Sequence, residues 1–255
     1  SCLVRYGETT VLCNATMSDS PREGIDWFPL SVDYEEKLYA VGKIPGSFLK
    51  REGRPSDNAV LTSRMVDRPM RPLFPEGMRN DVAIVMTVLS VEQDFQPEIA
   101  GMLGASFALA ISDIPWNGPI AGINVGLVDG ELVLQPNQEQ REQSDMELTV
   151  VTTADKVCML EAGANQVPED TVMKGIELGF EEAKKMVAFI NECVAEIGKE
   201  KIDFTPVTVE SGVFDAIKDF AIDRFRVAMD TDDKTERDEA LAPIFADIPE
   251  TFDEQ

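Results

Sequence analysis

The chain has 255 residues, 44% of them apolar, which suits one large domain with a small appendage or two modest domains; its net charge of −24 ordinarily argues against a polyanionic ligand. Histidine is absent, which excludes Ser–His–Asp triads, imidazole acid–base chemistry and His-ligated zinc. No apolar run reaches membrane-spanning length and no secretory signal precedes the first strand-like segment, so the chain reads as soluble and cytoplasmic with no membrane partner; it begins at Ser1 without an initiator Met, as a fragment or trimmed product would.

Residues 1–5 and 10–15 predict two strands, joined as a hairpin through Tyr6-Gly7-Glu8-Thr9. Residues 27–34 alternate and predict a third strand; Val41-Gly42-Lys43-Ile44-Pro45-Gly46-Ser47 follows as a punctuated loop. Asp57 is the expected cap of a helix over 58–68, which Pro69 should end. The apolar, β-branched run 82–90 predicts a buried strand. Residues 98–112, rich in small side chains (Gly101, Gly104, Ala105, Ser106), predict a tightly packed helix closed by Asp113-Ile114-Pro115. Residues 120–128 and 131–134 predict a hairpin around Asp129-Gly130, and 146–152 and 156–162 two more strands. Glu169–Ile197 carries the pattern of a long amphipathic helix, stopped by Gly198.

After Ile202-Asp203-Phe204-Thr205-Pro206 the chain turns acidic and helical, with Phe214, Ile217, Phe220, Ala221 and Phe225 on one face. The expected organisation is therefore an α+β domain over 1–203 and the start of a small all-α domain over 204–255. The four cysteines, Cys2, Cys13, Cys158 and Cys193, share no metal-ligand spacing and read as free, buried thiols.

The charge is unevenly spread. Between Lys37 and Arg79 nine cations face only four acids, and six of the nine are Arg. A basic island in an acidic protein focuses an anion onto one place, and the planar guanidinium suits phosphate; the alternative is a solvated charged loop. Within the island, Phe48 beside Lys50 and Arg51 pairs an aromatic face with phosphate-binding cations, the composition of a single-strand RNA constriction. A packed Phe with two solvated cations would have the same sequence. Arg64, Arg68 and Arg71 follow i, i+4, i+7 spacing and fit either phosphate contacts or internal pairs with acids such as Asp67 or Glu76.

The run from Gly42 to Ser56, centred on Ile44-Pro45-Gly46-Ser47-Phe48-Leu49-Lys50-Arg51-Glu52-Gly53-Arg54-Pro55, resembles a signature of the first RNase PH-like core of the bacterial polynucleotide phosphorylases. Ser63-Arg64-Met65-Val66-Asp67-Arg68-Pro69-Met70-Arg71-Pro72-Leu73-Phe74-Pro75-Glu76-Gly77 and Ile114-Pro115-Trp116-Asn117-Gly118-Pro119-Ile120 resemble two more blocks of that core. The resemblance implies an RNase PH-like core (ribosomal protein S5 domain 2-like, βαβα layers), here without its first strands, and then a helical linker domain. It also implies a homotrimeric ring that degrades single-stranded RNA from the 3′ end with inorganic phosphate, releasing nucleoside diphosphates. Phe48, Lys50, Arg51, Arg64, Arg68 and Arg71 become the expected RNA-binding residues, with Leu49 where an aromatic is more usual.

The family's second core carries phosphorolysis, and the resemblance places this chain outside it. Thr62 stands where that core has a histidine, and Gln96-Pro97-Glu98 where it has a phosphate-holding serine run. Pro97 has no N–H to offer, and an ionised Glu98 repels phosphate. The acids that bind Mg²⁺ in the second core fall at Glu139 and Asp145, which read here as surface carboxylates, so no catalytic residue and no metal are expected in this chain. Three functions remain in view: the RNA-guiding part of an exoribonuclease, a self-sufficient phosphorolytic enzyme, which the replacements at 62 and 96–98 oppose, and a non-catalytic exosome-like ring subunit.

Overall fold

The computed structural model describes residues 1–46, 48, 50–205 and 211–252. Contacts divide the chain into two units, Ser1–Pro206 and Val207–Gln255. The first is α+β, as the sequence predicts, and is built on two four-stranded sheets.

The first sheet has the order β1-β2-β4-β3, from β1 (Cys2–Tyr6), β2 (Thr9–Pro21), β4 (Asn80–Ser90) and β3 (Leu30–Glu36). Tyr6 pairs with Thr9, so the first hairpin closes around Gly7-Glu8, and β3 joins β4 in parallel from Leu30 opposite Val82. β3 starts at Leu30 rather than at Trp27, which is 54% exposed. Pro29 has no N–H for a ladder and contributes only its carbonyl, which accepts from the Val82 N–H at 3.0 Å. The second sheet is antiparallel throughout, in the order β6-β5-β7-β8: β6 (Glu131–Leu134), β5 (Ala121–Val128), β7 (Met146–Thr152) and β8 (Val157–Ala164).

Helix α2 (Pro97–Ala110) packs on β1, β2 and β4 of the first sheet and on β5 of the second. Its small residues permit this: a Cβ on Gly104 would clash with Cys13 Sγ. Helix α4 (Glu169–Ile197) covers β5 and β7, where a Cβ on Gly179 would come within 2.8 Å of Val150 Cγ2. β5, buried from Ala121 to Leu127, is thereby covered on both faces, and its buried amide, Asn124, is hydrogen-bonded to Gln96 and Thr149. The end of α2 is capped from a distance: the Lys201 ammonium donates to the carbonyls of Leu109 (2.7 Å), Ala110 (3.1 Å) and Ser112 (2.6 Å).

Four local readings are corrected. Helix α1 (Asp57–Met70) is capped by Ser56, whose Oγ accepts from the Ala59 N–H at 3.0 Å, with Asp57 in the first turn. Pro69 lies inside α1, buried, one residue from its end, where a proline removes a single backbone bond and the helix still runs to Met70. A short helix, α3 (Gln138–Gln143), was not expected: its sequence is polar throughout and lacks apolar periodicity, and a capping box between Asn137 and Gln140 forms it. The cysteines are all free, but only Cys13 is buried; Cys158 is exposed on the edge strand β8.

The second unit contains α5 (Ser211–Met229) and α6 (Lys234–Phe252). Its core is small: Ala221, Ala228 and Ile244, with Phe225, Leu241 and Ile248 against them. Of the face read from the sequence, Ala221 and Phe225 reach this core while Phe214 remains exposed, since two helices offer too little surface to bury a full stripe. Among the described residues no helix is long and apolar enough to cross a membrane.

Candidate nucleic-acid interface

A 3₁₀ turn over Leu38–Val41 closes on Gly42, whose φ of 69° suits glycine, and releases the chain into the loop ahead of α1. Phe48 projects from this loop with 99% of its surface exposed, which removes the reading of Phe48 as a packed core residue. Lys50, at a left-handed φ of 49°, and Arg51 are exposed beside it, as is Arg54. Ser47 and Leu49 lie outside the described residues, so the departure at Leu49 has no structural counterpart. The far side of the loop is tied down by Glu52, whose carboxylate accepts from the Leu38 N–H at 3.1 Å.

Arg64 and Arg68 stand one turn apart on the exposed face of α1, next to exposed Val60 and Leu61. Among the described residues no carboxylate lies within ion-pair distance of Lys50, Arg51, Arg54, Arg64 or Arg68. Arg71 differs from these in having partners within the fold. Its guanidinium pairs with both carboxylate oxygens of Asp67 (3.2 and 2.7 Å) and donates to the carbonyls of Phe28 and Leu30 (both 3.1 Å). With most of its donors directed to α1 and to the start of β3, Arg71 helps to hold the fold together. Arg71→Met is therefore expected to lower stability by about 1.5–3 kcal/mol, the range for charge-assisted hydrogen bonds, while Arg64→Ala leaves it within roughly 0.5 kcal/mol. Urea unfolding of both variants checks this.

The positions that replace the phosphate site also come together. Thr62, Gln96, Glu98, Asn124, Glu147 and Glu161 line one cavity of about 370 Å³. Gln96 Oε1 accepts from Asn124 Nδ2 at 2.6 Å, and Thr149 Oγ1 donates to Asn124 Oδ1 at 2.8 Å, so the amides are locked. Glu98 Oε1 accepts from Asn58 Nδ2 at 3.3 Å. Three carboxylates and no Lys or Arg line this space, which therefore repels phosphate. Of the two acids at the metal positions, Asp145 lines a neighbouring cavity of about 400 Å³, whereas Glu139 is exposed on α3 and does not. Among the described residues no group of three His, Cys, Asp or Glu side chains is placed to hold a metal ion.

Two consecutive family models match the chain: the 3′ exoribonuclease family, domain 1, over residues 1–115, and the same family's domain 2 over residues 118–182. The chain belongs to the 3′ exoribonuclease family. The two domains of the family model meet between α2 and β5, so each accounts for one of the two sheets. Within the family, the chain is similar to proteins named polyribonucleotide nucleotidyltransferase. It is 53% identical to that of Ruminiclostridium cellulolyticum over 255 residues, all of this chain and 36% of the relative. It is 54% identical to that of Clostridioides difficile over 241 residues, 94% of this chain and 34% of the relative. It is 51% identical to that of Heliobacterium modesticaldum over 252 residues, 99% and 36% respectively. The chain thus spans about a third of the length of the curated relatives it matches.

Sequence reading missed Arg54 as a further free cation at the loop. The nine-against-four charge count and the signature run both contained it, but it was not named among the expected RNA contacts.

Proposed function

We propose that this chain is the N-terminal part of a 3′-to-5′ phosphorolytic exoribonuclease, a polyribonucleotide nucleotidyltransferase, in which it guides single-stranded RNA and contributes to a homotrimeric ring. Inorganic phosphate, nucleoside diphosphates and Mg²⁺ belong in this reading to the second core of the complete cytoplasmic enzyme. The observation that carries the RNA role is the exposed Phe48 beside exposed Lys50 and Arg51, an aromatic platform flanked by cations without carboxylate partners among the described residues. Base stacking and phosphate neutralisation are the two forces that hold a single strand without reading its sequence. Arg64 and Arg68 extend the cationic surface along α1; Arg71 does not. The names of the relatives favour the enzyme over a non-catalytic ring subunit.

Phe48→Ala tests the stacking element. A base on an aromatic face contributes roughly 1–3 kcal/mol whatever its identity. The variant, in the complete enzyme, is expected to bind short single strands of different base composition about equally less well, with an unchanged salt slope and an unchanged melting temperature, because an exposed ring supports no core. Unchanged RNA affinity, measured by fluorescence anisotropy, removes Phe48 from the interface.

A further inference from the structure

A cavity of about 510 Å³ lies beside the loop, between β3, the end of β4 and the start of α2. Its volume falls within the usual range for small-molecule sites. Leu38, Val41, Val88 and Val91 give it apolar walls. Two polar atoms of residues lining it are buried without a partner. One is the hydroxyl of Tyr34, a residue only 2% exposed; the other is Glu98 Oε2, whose sister oxygen is held by Asn58. Such groups are costly to leave unpaired, and most buried polar atoms in folded proteins find a partner. Burial, then the charges of Glu98 and Glu36, push the Tyr34 phenol well above its ordinary range, so at neutral pH it keeps its proton and can donate.

We infer that this cavity binds a nucleobase, whose N–H donates to Glu98 while an adjacent ring nitrogen or carbonyl accepts from the Tyr34 hydroxyl. Every base has a donor next to an acceptor on its pairing edge, and its flat faces match apolar walls. An anionic ligand does not fit. Glu98 repels it, and the two cations at the rim are engaged: Lys37 with Glu35 at 2.9 Å, and Arg141 with the carbonyls of Pro136 (2.8 Å) and Gln93 (2.7 Å). The base can come from a free nucleoside or from a nucleotide of bound RNA, and the chemistry is the same. This inference goes beyond the loop reading and does not rest on it.

The test uses the complete protein that carries this chain, with labelled adenosine as probe, so that no phosphate contributes. Equilibrium dialysis measures affinity, and photo-cross-linking with an azido derivative, followed by peptide mapping, locates the site. The expected result is saturable binding, with cross-links in the segments around residues 34–41 and 88–98. Tyr34→Phe and Glu98→Gln should each weaken it about tenfold, the effect of one lost hydrogen bond. Tyr34→Phe should leave the melting temperature unchanged or raise it, because the hydroxyl it removes has no partner in the protein. If a short oligoadenylate displaces adenosine, the base is supplied by RNA; if it does not, the ligand is a free nucleoside, and either result supports the site. Absence of saturable binding, binding indifferent to both substitutions, or cross-links confined to other segments overturns it. Lys50→Ala with Arg51→Ala should not alter adenosine binding, so failure here is separable from failure of the loop reading.

Discussion

A purified chain of residues 1–255, given single-stranded RNA and inorganic phosphate, is expected to release no nucleoside diphosphate. The space where phosphate would have to sit is lined by Glu98, Glu147 and Glu161, with Thr62 at its wall and no cation among the lining residues. One like-charge contact at 4 Å and an effective dielectric near 20 costs roughly 4 kcal/mol, close to a thousandfold in affinity, before a second carboxylate is counted. Donors are scarce as well: Pro97 has no N–H, the Asn124 amide donates to Gln96 Oε1, and the Thr149 hydroxyl donates to Asn124 Oδ1. The assay is diphosphate release above a mock preparation, with cooperative thermal unfolding as the control for a folded chain. Release dependent on added phosphate would show that the site assignment is wrong.

The second large effect belongs to the loop. Lys50→Ala combined with Arg51→Ala, in the complete enzyme, is expected to weaken single-strand binding and to shorten processive runs. Two lost phosphate contacts reduce the slope of log affinity against log salt by roughly 1–2 units on the single-strand scale. The melting temperature should not move, because both side chains are exposed and neither is paired within the described residues. The salt slope separates this variant from Phe48→Ala, which lowers affinity without changing the slope, although the three residues lie within one short loop. Wild-type binding at both low and high salt would remove Lys50 and Arg51 from the RNA path.

Much of this was legible in the residues. The apolar run of β4, the Asp129-Gly130 turn between β5 and β6, and the two ends of α4 follow from local propensity and period, which act over a few residues and need no partner. The loop around Phe48 was readable for the same reason, since its glycines, its proline and its cations are contiguous. The start of β3 and the capping box of α3 were not read because Pro29 and the polar run of α3 give no periodic signal.

What distinguishes the arginines becomes visible only in three dimensions. Arg64, Arg68 and Arg71 share a helical spacing, and nothing in that spacing separates them. Arg71 is engaged within the fold because the carbonyls of Phe28 and Leu30, more than forty positions away in sequence, arrive beside it when β3 packs against α1. The same holds for the Tyr34 hydroxyl and Glu98 Oε2, which come from different elements and are both without a partner among the described residues. Sequence by itself determined which groups this protein has and how each segment folds locally. The tertiary structure decided which of those groups are used up against one another and which remain free for a ligand, because a hydrogen-bond donor or a charge is committed by whatever the fold brings within about 3 Å of it.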